Sequence, residues 1–296
     1  MLPDDWHLTE DIDDFLARAG ASLRSRPALH NTPLTDIEKL RSRGAEVQDA
    51  AATLFGVLES GGEVCAVFYR RPGGDLWITS LSTGQGSALA ARLAALGHFP
   101  SGVLGDHDTA TAFADAWQQR TGGTTPDPFW RTHLYRLGTL ATPRPSPEGQ
   151  GRHAGPQDRE VVVRWCRAFC VAVGEQRSID LIDAGAWSDS RFGDRHFTFW
   201  ETPDGTPVSM AAATSMVGGM IRVDPVYTPA HLRGRGYAGA VTVEVSRAAL
   251  AAGATDVVLF TDPANPTSNA LYQRLGYVHL ADFTGYRFAY GTPEAD

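Results

Sequence analysis

The sequence predicts an α/β (α+β) chain of two domains, and three observations carry that prediction. An apolar run from Met220 to Tyr227 leads into a glycine-rich loop, and an Ala-rich, apolar-periodic run from Ala240 to Ala252 follows it, which reads as strand, loop and helix. The first half of the chain shows nearly the same alternation of short apolar runs and longer helical patterns as the second. Between the halves, residues 141–158 hold Pro143, Pro145, Pro147, Gly149, Gly151, Gly155 and Pro156, which is linker composition.

Residues 1–50 read as irregular and helical, with Ile12, Phe15, Leu16 and Ala19 at helical spacing inside Asp11–Leu23. Val64–Tyr69 and Leu76–Leu81 read as strands joined by Arg70-Arg71-Pro72-Gly73-Gly74-Asp75, a hairpin connection. Ser87–Leu96 reads as a helix closed by Gly97, Val103-Leu104 as a short strand, Thr109–Arg120 as a helix and Trp130–Leu137 as a strand. After the linker, Val161–Val173 is an amphipathic helix with Trp165, Phe169 and Val173 four apart, and Asp180–Trp187 is a second, weaker helix. His196–Glu201 and Thr206–Thr214 read as strands around the turn Pro203-Asp204-Gly205. Val257–Phe260 is a buried-strand run, and the chain closes with Tyr277–Phe283 and Tyr286–Tyr290 as an antiparallel pair.

The loop Val226–Gly239 is the chemical centre of the chain. A strand–glycine loop–helix junction aims backbone N–H groups and the positive end of a helix dipole at one point, which suits a phosphate. Gly234, Gly236 and Gly239 permit close approach to the backbone, and Arg233 and Arg235 can add charge-assisted hydrogen bonds. A nucleoside-triphosphate loop is excluded because it requires a Gly-Lys-Ser/Thr ending that this loop lacks. Gly234-Arg235-Gly236-Tyr237-Ala238-Gly239 fits a dinucleotide fingerprint, yet no second βαβ half with an acidic ribose ligand follows. The bland alternative is a glycine-rich turn with surface arginines.

Arg233, Gly236 and Ala238 satisfy Arg/Gln-x-x-Gly-x-Gly/Ala, and downstream Asn265 is followed seven residues later by Tyr272 and then by Leu275-Gly276-Tyr277. Together these two strings resemble the signatures of the GNAT acetyltransferase superfamily, over roughly residues 158–290. The whole chain also resembles a bacterial two-domain GNAT group that carries Val-Tyr-Thr-Pro and Leu-Phe-Thr-Asp-x-x-Asn-Pro-Thr-Ser-Asn, present here at Val226–Pro229 and Leu259–Asn269. The second half is similar to glycine N-acyltransferases as well. Ala230 stands where common GNAT loops place Pro, with Pro229 adjacent.

The resemblance implies two GNAT-like domains, each a mixed, mostly antiparallel sheet flanked by helices. Residues 1–142 form a degenerate domain, 143–157 the linker and 158–296 the catalytic domain. It implies acetyl-CoA or another acyl-CoA as co-substrate and no metal. The pyrophosphate goes to Arg233, Gly234, Arg235, Gly236, Tyr237, Ala238 and Gly239, and the thioester end to the backbone of Val226, Tyr227 and Thr228. Asn265, Ser268 and Asn269 join the cofactor set, with Asn265 also reading as a helix N-cap before Pro266. Tyr272 is the expected catalytic residue: a phenol, pKa ~10, can donate a proton to a departing thiolate, whose thiol has pKa ~8.5. Tyr272 shares a helix face with Ser268, while Leu271 and Leu275 share the other, so it is expected off the core stripe. In the first half Gly84-Gln85-Gly86 stands where a phosphate loop would lie but lacks the flanking Arg and any downstream Asn-plus-Tyr, so it reads as a structural turn.

Composition narrows the partners. With 296 residues, 43% hydrophobic and 20% charged, the chain is globular. A formal net charge of −8 argues against a broad nucleic-acid surface. No apolar run is long enough to span a membrane, and the acidic start Met1-Leu2-Pro3-Asp4-Asp5-Trp6 lacks a signal-peptide core. Cys65, Cys166 and Cys170 make an odd count without zinc-like spacing, and a reducing, cytoplasmic setting is expected. Glu201, Asp224 and His196 lie on strands near the cleft, and none is singled out as a general base. The expected partner is a small-molecule amine. The rival readings are an aminoacyl-tRNA-dependent acyltransferase using the same cleft and a non-catalytic acyl-CoA-binding module.

Overall fold

The structure, a computed structural model, describes residues 5–43, 53–122 and 126–290. The first run of elements is β1 (Asp5–Thr9), α1 (Ile12–Ser25), α2 (Asn31–Arg43), β2 (Leu54–Ser60), β3 (Glu63–Arg70), β4 (Leu76–Ile78), α3 (Thr83–Ala95), β5 (Gly102–Asp106), α4 (His107–Thr121) and β6 (Pro126–Leu137). The second is β7 (Gln150–His153), α5 (Arg159–Val173), α6 (Gln176–Asp183), β8 (His196–Glu201), β9 (Pro207–Ala213), β10 (Met220–Tyr227), α7 (Tyr237–Ala251), β11 (Asp256–Thr261), α8 (Pro266–Arg274) and β12 (Tyr277–Phe288). Strand, two helices, three strands, helix, strand, helix, strand therefore occurs twice, so the repeat suggested by the sequence is complete at the level of element order.

The chain forms two compact units, Met1–Leu134 with Leu280–Asp296, and Tyr135–His279. The dividing points differ from the Pro/Gly-rich stretch at 143–157, because the last strand of each repeat crosses between units: β6 leaves unit 1 after Leu134 and β12 enters it at Leu280. In unit 1, β1 to β4 pair antiparallel in sequence, β4 and β5 run parallel, and β5 pairs antiparallel with Phe283–Arg287 of β12. In unit 2, β7, β8, β9 and β10 pair antiparallel in sequence, and β10 and β11 run parallel. Both units are mixed, mostly antiparallel sheets flanked by helices.

Two apolar clusters hold unit 2. Val241, Val245 and Ala249 of α7 pack with Val223, Val257, Leu259, Tyr272, Leu275 and Tyr277. Trp165, Cys166 and Cys170 of α5 pack with Ile179, Phe192, Phe199 and Met210. The helical stripe read from Trp165 is thus a core stripe, although Val173 at its end is exposed.

Several elements differ from the sequence reading. The weak helix expected at Asp180–Trp187 is α6, Gln176–Asp183, because Gly185 takes a left-handed φ of +75° and ends it early. The expected C-terminal strand pair is the single strand β12; Gly285 does not turn the chain but lies flat opposite Leu104, with Phe129 against it. The linker stretch contains β7, paired to β8 from Gln150↔Glu201 to His153↔Thr198. β1 lies in the segment read as irregular, and β2 carries Gly56 in mid-strand where the Phe68 ring lies across its backbone.

Candidate active site

The site begins with strand β10. It pairs in parallel with β11 at Met220, Ile221 and Arg222, opposite Asp256, Val257 and Val258. Both strands continue, to Tyr227 and Thr261, but the ladder among the described residues stops there. On its other edge β10 shifts register against β9 between Val223 and Val226, where Asp224-Pro225 forms the bulge. Proline donates no ladder hydrogen bond, so this dipeptide loosens β10 at the point where it parts from β11. Beyond it, Val226 and Tyr227 return to the β9 ladder opposite Ala211 and Met210. Thr228 is buried, its hydroxyl 2.8 Å from that of Ser209.

The loop then turns through a 3₁₀ segment, Ala230–Leu232, into α7. The Arg233 guanidinium donates from Nε to the Thr228 carbonyl at 3.1 Å, which ties the loop to the strand end. Gly234 and Gly236 hold φ of +77° and +83°, the left-handed region that favours glycine. Gly236 is the N-cap of α7, and because it has no side chain the helix starts without a cap and without an acidic residue in its first turn. The first N–H groups of a 15-residue helix are therefore turned outward beside Arg235, an arrangement that attracts an anion. Gly239 is different: it is buried, and a Cβ there would press on Leu271 Cδ1 at 3.2 Å, so it serves the packing of α7 on α8.

The equivalent junction in unit 1 is closed. α3 carries a capping box in which the Ser82 hydroxyl accepts from the Gln85 N–H and the Gln85 side chain accepts from the Ser82 N–H. Gly84 and Gly86 lie within the first turn of that helix rather than in a loop before it.

The second signature builds α8. Asn265 Oδ1 accepts from the Ser268 N–H at 3.1 Å, with Pro266 in the first helical position. Ser268 is half-buried. Asn269 donates to the carbonyls of Asp262 and Asn265, both at 2.9 Å, and accepts from Thr261, so its side chain is engaged in holding the loop. Tyr272 is not off the core stripe, as helix geometry alone predicts; it is 8% exposed and packs edge-on to Tyr277. The helix is short and its axis turns the Tyr272–Leu275 edge onto the sheet, leaving Leu271 half-buried. Burial, then the neighbouring Tyr277 and the Asp224 charge, raise the Tyr272 pKa above the usual phenol value. Tyr272 thus lies within electrostatic reach of the bulge on β10.

Around Asp224 is a polar network that the sequence did not reveal. Arg191 donates to both carboxylate oxygens of Asp224 at 2.6 Å and to Glu175 at 3.0 Å. Glu175 also accepts from Ser178 at 2.6 Å. Arg195 adds an ion pair to Asp224 at 3.6 Å. Burial acts to raise the Asp224 pKa, but Arg191, Arg195 and Arg222 outweigh it and hold the carboxyl well below the usual range. No spacing rule links Arg191 to an aspartate 33 residues later; only the return of the segment after α6 over β10 brings them together.

The three polar strand residues are all engaged. Glu201 takes Arg152 Nε at 2.7 Å, Asp224 takes Arg191, and exposed His196 lies 3.4 Å from the Ser215 hydroxyl. Cys166 and Cys170 are buried, and burial followed by the Glu175 charge pushes the Cys170 thiol up to about 12, which suits packing rather than nucleophilic attack. Among the described residues no helix is long and apolar enough to cross a membrane.

Comparison with known proteins agrees with the fold. The family model described as FR47-like protein matches residues 210–287, which run from β9 through the loop and α8 to β12. No curated protein sequence matches. Among solved structures the chain is similar to a GCN5-related N-acetyltransferase from Sphaerobacter thermophilus, at 18% identity and a TM-score of 0.56 over 97% of this chain and 96% of that one. It is similar to a GNAT-family acetyltransferase from Colwellia psychrerythraea at 10% identity, with a TM-score of 0.56 over 96% and 100%. A tandem GNAT protein from the clavulanic acid biosynthesis pathway matches at 14% identity, with a TM-score of 0.56 over 98% and 100%. The chain has the fold of these N-acetyltransferase structures, and its residues 210–287 carry the FR47-like sequence pattern.

Proposed function

We propose that the protein is an acyl-CoA-dependent N-acyltransferase that moves an acetyl group from acetyl-CoA to the amine of a small molecule by direct attack. The observation that carries this reading is the combination, within unit 2, of the uncapped α7 N-terminus, the end of the β10–β11 ladder at Arg222, and the buried Tyr272 phenol, which feels the charge of Asp224 on the β10 bulge. The loop N–H groups from Gly234 to Gly239, with Arg233 and Arg235, hold the pyrophosphate. Val226, Tyr227 and Thr228 offer backbone to the pantetheine arm, and Asn265 and Ser268, at the start of α8, join the donor-binding set. Bound acetyl-CoA supplies a thioester whose carbonyl carbon is open to an amine.

The amine nitrogen attacks that carbon, the new N–C bond forms, and the C–S bond breaks with its electron pair on sulfur. Tyr272 stabilises the departing sulfur. Its raised pKa keeps the phenol protonated, and it also makes full proton loss costly beside Asp224. Tyr272 therefore acts chiefly as a hydrogen-bond donor to sulfur, and solvent completes the protonation. Asp224 is held ionised by its arginines and is a poor base, so the amine loses its proton to water.

The test is calorimetric titration with acetyl-CoA, followed by thiol release with a panel of amines. The expected result is one coenzyme per chain, because α3 is capped by its own side chains and α7 is not, together with amine-dependent thiol release. Binding without release for any amine would favour a non-catalytic binding module, and salt-sensitive tRNA binding with no acetyl-CoA affinity would favour an aminoacyl-tRNA-dependent transferase.

A further inference from the structure

Helix α7 buries two hydroxyls among its apolar residues. Thr242 and Ser246, one turn apart, are fully buried. Thr242 Oγ1 donates to the Ala238 carbonyl at 2.7 Å, and Ser246 Oγ donates to the Thr242 carbonyl at 2.6 Å. Both bonds are local to the helix. A third crosses to β12: Ser246 Oγ lies 2.7 Å from the Tyr277 hydroxyl. A serine hydroxyl has one proton, and the Thr242 carbonyl takes it, so Tyr277 is the donor to Ser246. The tip of Tyr277, itself buried, is thereby fastened to α7.

Filling the core does not require this bond. Replacing both partners of a buried hydrogen bond by apolar groups of the same shape is nearly neutral. What a fully satisfied buried polar network adds is a single arrangement of its side chains. Here the side chain so fixed is the one that packs against Tyr272. The two rings form a T-shaped pair, with centroids 6.0 Å apart and planes at 70°. Among the described residues no hydrogen bond engages the Tyr272 hydroxyl, so the packing of its ring aims it.

We infer that Tyr277 is a positioning residue for the acyl transfer: bonded to Ser246, it sets the plane of the Tyr272 ring with respect to α7, the helix whose first turn is read as the pyrophosphate site. The inference rests on the reading of Tyr272 as hydrogen-bond donor to the leaving sulfur. Tyr277→Phe keeps the neighbouring ring but frees its tip, and the phenol beside it gains room to swing. Misplacement of a reacting group by about 1 Å can cost on the order of 10²-fold in rate, so partial loosening should cost about 10-fold.

The experiment follows steady-state thiol release by the full chain, with acetyl-CoA and the fastest acceptor in a panel of alkyl amines, polyamines and amino sugars. Tyr277→Phe should lower kcat about 10-fold and change KM for acetyl-CoA by less than ~2-fold. Its melting temperature should stay within about 4 °C of wild type. Ser246→Ala removes the acceptor from the other side and should lower kcat to a similar degree. The deciding measurement is the double variant Tyr272→Phe/Tyr277→Phe. Because Tyr277 acts only through the Tyr272 hydroxyl, the second substitution should cost less than about 2-fold once that hydroxyl is gone. Losses that multiply in the double variant overturn the proposal, as does wild-type kcat in a folded Tyr277→Phe or Ser246→Ala protein. A loss confined to KM or to melting temperature, or failure of both single variants to fold, is the pattern of a core residue and overturns it too. The reading of Tyr272 fails separately, on wild-type kcat in Tyr272→Phe, and the acyl-transfer reading on the absence of thiol release with any amine; either failure removes the Tyr277 proposal with it.

Discussion

Arg191 grips both carboxylate oxygens of Asp224 at 2.6 Å, and this contact sits at the bulge where β10 leaves its parallel neighbour. The pair joins the segment after α6 to the strand whose backbone borders the opening. Without it the nearly buried Asp224 charge at the bulge would keep only weaker support, such as the longer Arg195 contact at 3.6 Å, so one interaction serves the stability of the unit and the shape of the site.

That relationship sets a stability prediction. Asp224→Asn removes the charge and leaves Arg191 and Arg195 without their shared partner, which should cost about 3 kcal/mol in unfolding free energy at neutral pH. Because the folded Asp224 pKa is depressed, its contribution is fully present above the unfolded value near ~3.9 and is lost only as the pH falls through the lower folded value. Urea unfolding of wild type and Asp224→Asn should therefore show a gap that persists from about pH 7 to about pH 4 and narrows only in stronger acid. A gap that closes already near pH 6 would mean that Asp224 is not the group responsible.

Donor binding is predicted to respond to Ala238→Asp. Any substitution at Gly236 would strain a left-handed backbone, so a loss of binding there would confound folding with recognition. Ala238 lies in the first turn of α7, where an added carboxylate favours the helix by roughly 0.3–1 kcal/mol through its dipole. The same charge faces the proposed pyrophosphate position. The expected outcome is an unchanged or raised melting temperature with acetyl-CoA affinity reduced at least ~10-fold, read by calorimetry. Unchanged affinity would remove this helix end from the donor site.

Tyr272→Phe keeps the ring that packs on Tyr277 and removes only the hydroxyl. Loss of one donor to the leaving sulfur should lower kcat by about 10²-fold and leave acetyl-CoA affinity nearly unchanged. Since the folded pKa is raised, the protonated form persists to higher pH than in a free phenol. The kcat of the wild type should accordingly show no fall between about pH 8 and about pH 10 from this group. Full activity in a folded Tyr272→Phe protein, with chemistry rate-limiting, would leave Tyr272 a packing residue.

Gly276→Ala tests why the second signature ends in Leu-Gly-aromatic. Gly276 has a φ of +93°, and a Cβ there would run into the Thr139 carbonyl oxygen. Its own carbonyl accepts from the Gly138 N–H at 2.9 Å, so it clamps the end of β6 to the end of α8. The substitution should destabilise unit 2 by at least about 1–3 kcal/mol, seen as a lower melting temperature with or without ligand. A melting temperature equal to wild type would show that this clamp is not needed.

The sequence by itself determined what depends on a few neighbouring residues. Gly234, Gly236 and Gly276 mark backbone turned through positive φ, Asn265-Pro266 starts α8, and Trp165 and its periodic partners lay α5 on the sheet. Each rests on local sterics or a side-chain period, so each is written in adjacent letters. Tertiary structure decided what depends on distant partners. It turned Tyr272 into the core, engaged the Asn269 side chain within its own loop, and brought Arg191 to Asp224. It also carried β12 into the unit built by the first repeat, as a single strand rather than a pair. Burial and charge pairing are set by whichever elements pack face to face, and no local pattern in one strand or helix encodes the identity of its neighbour.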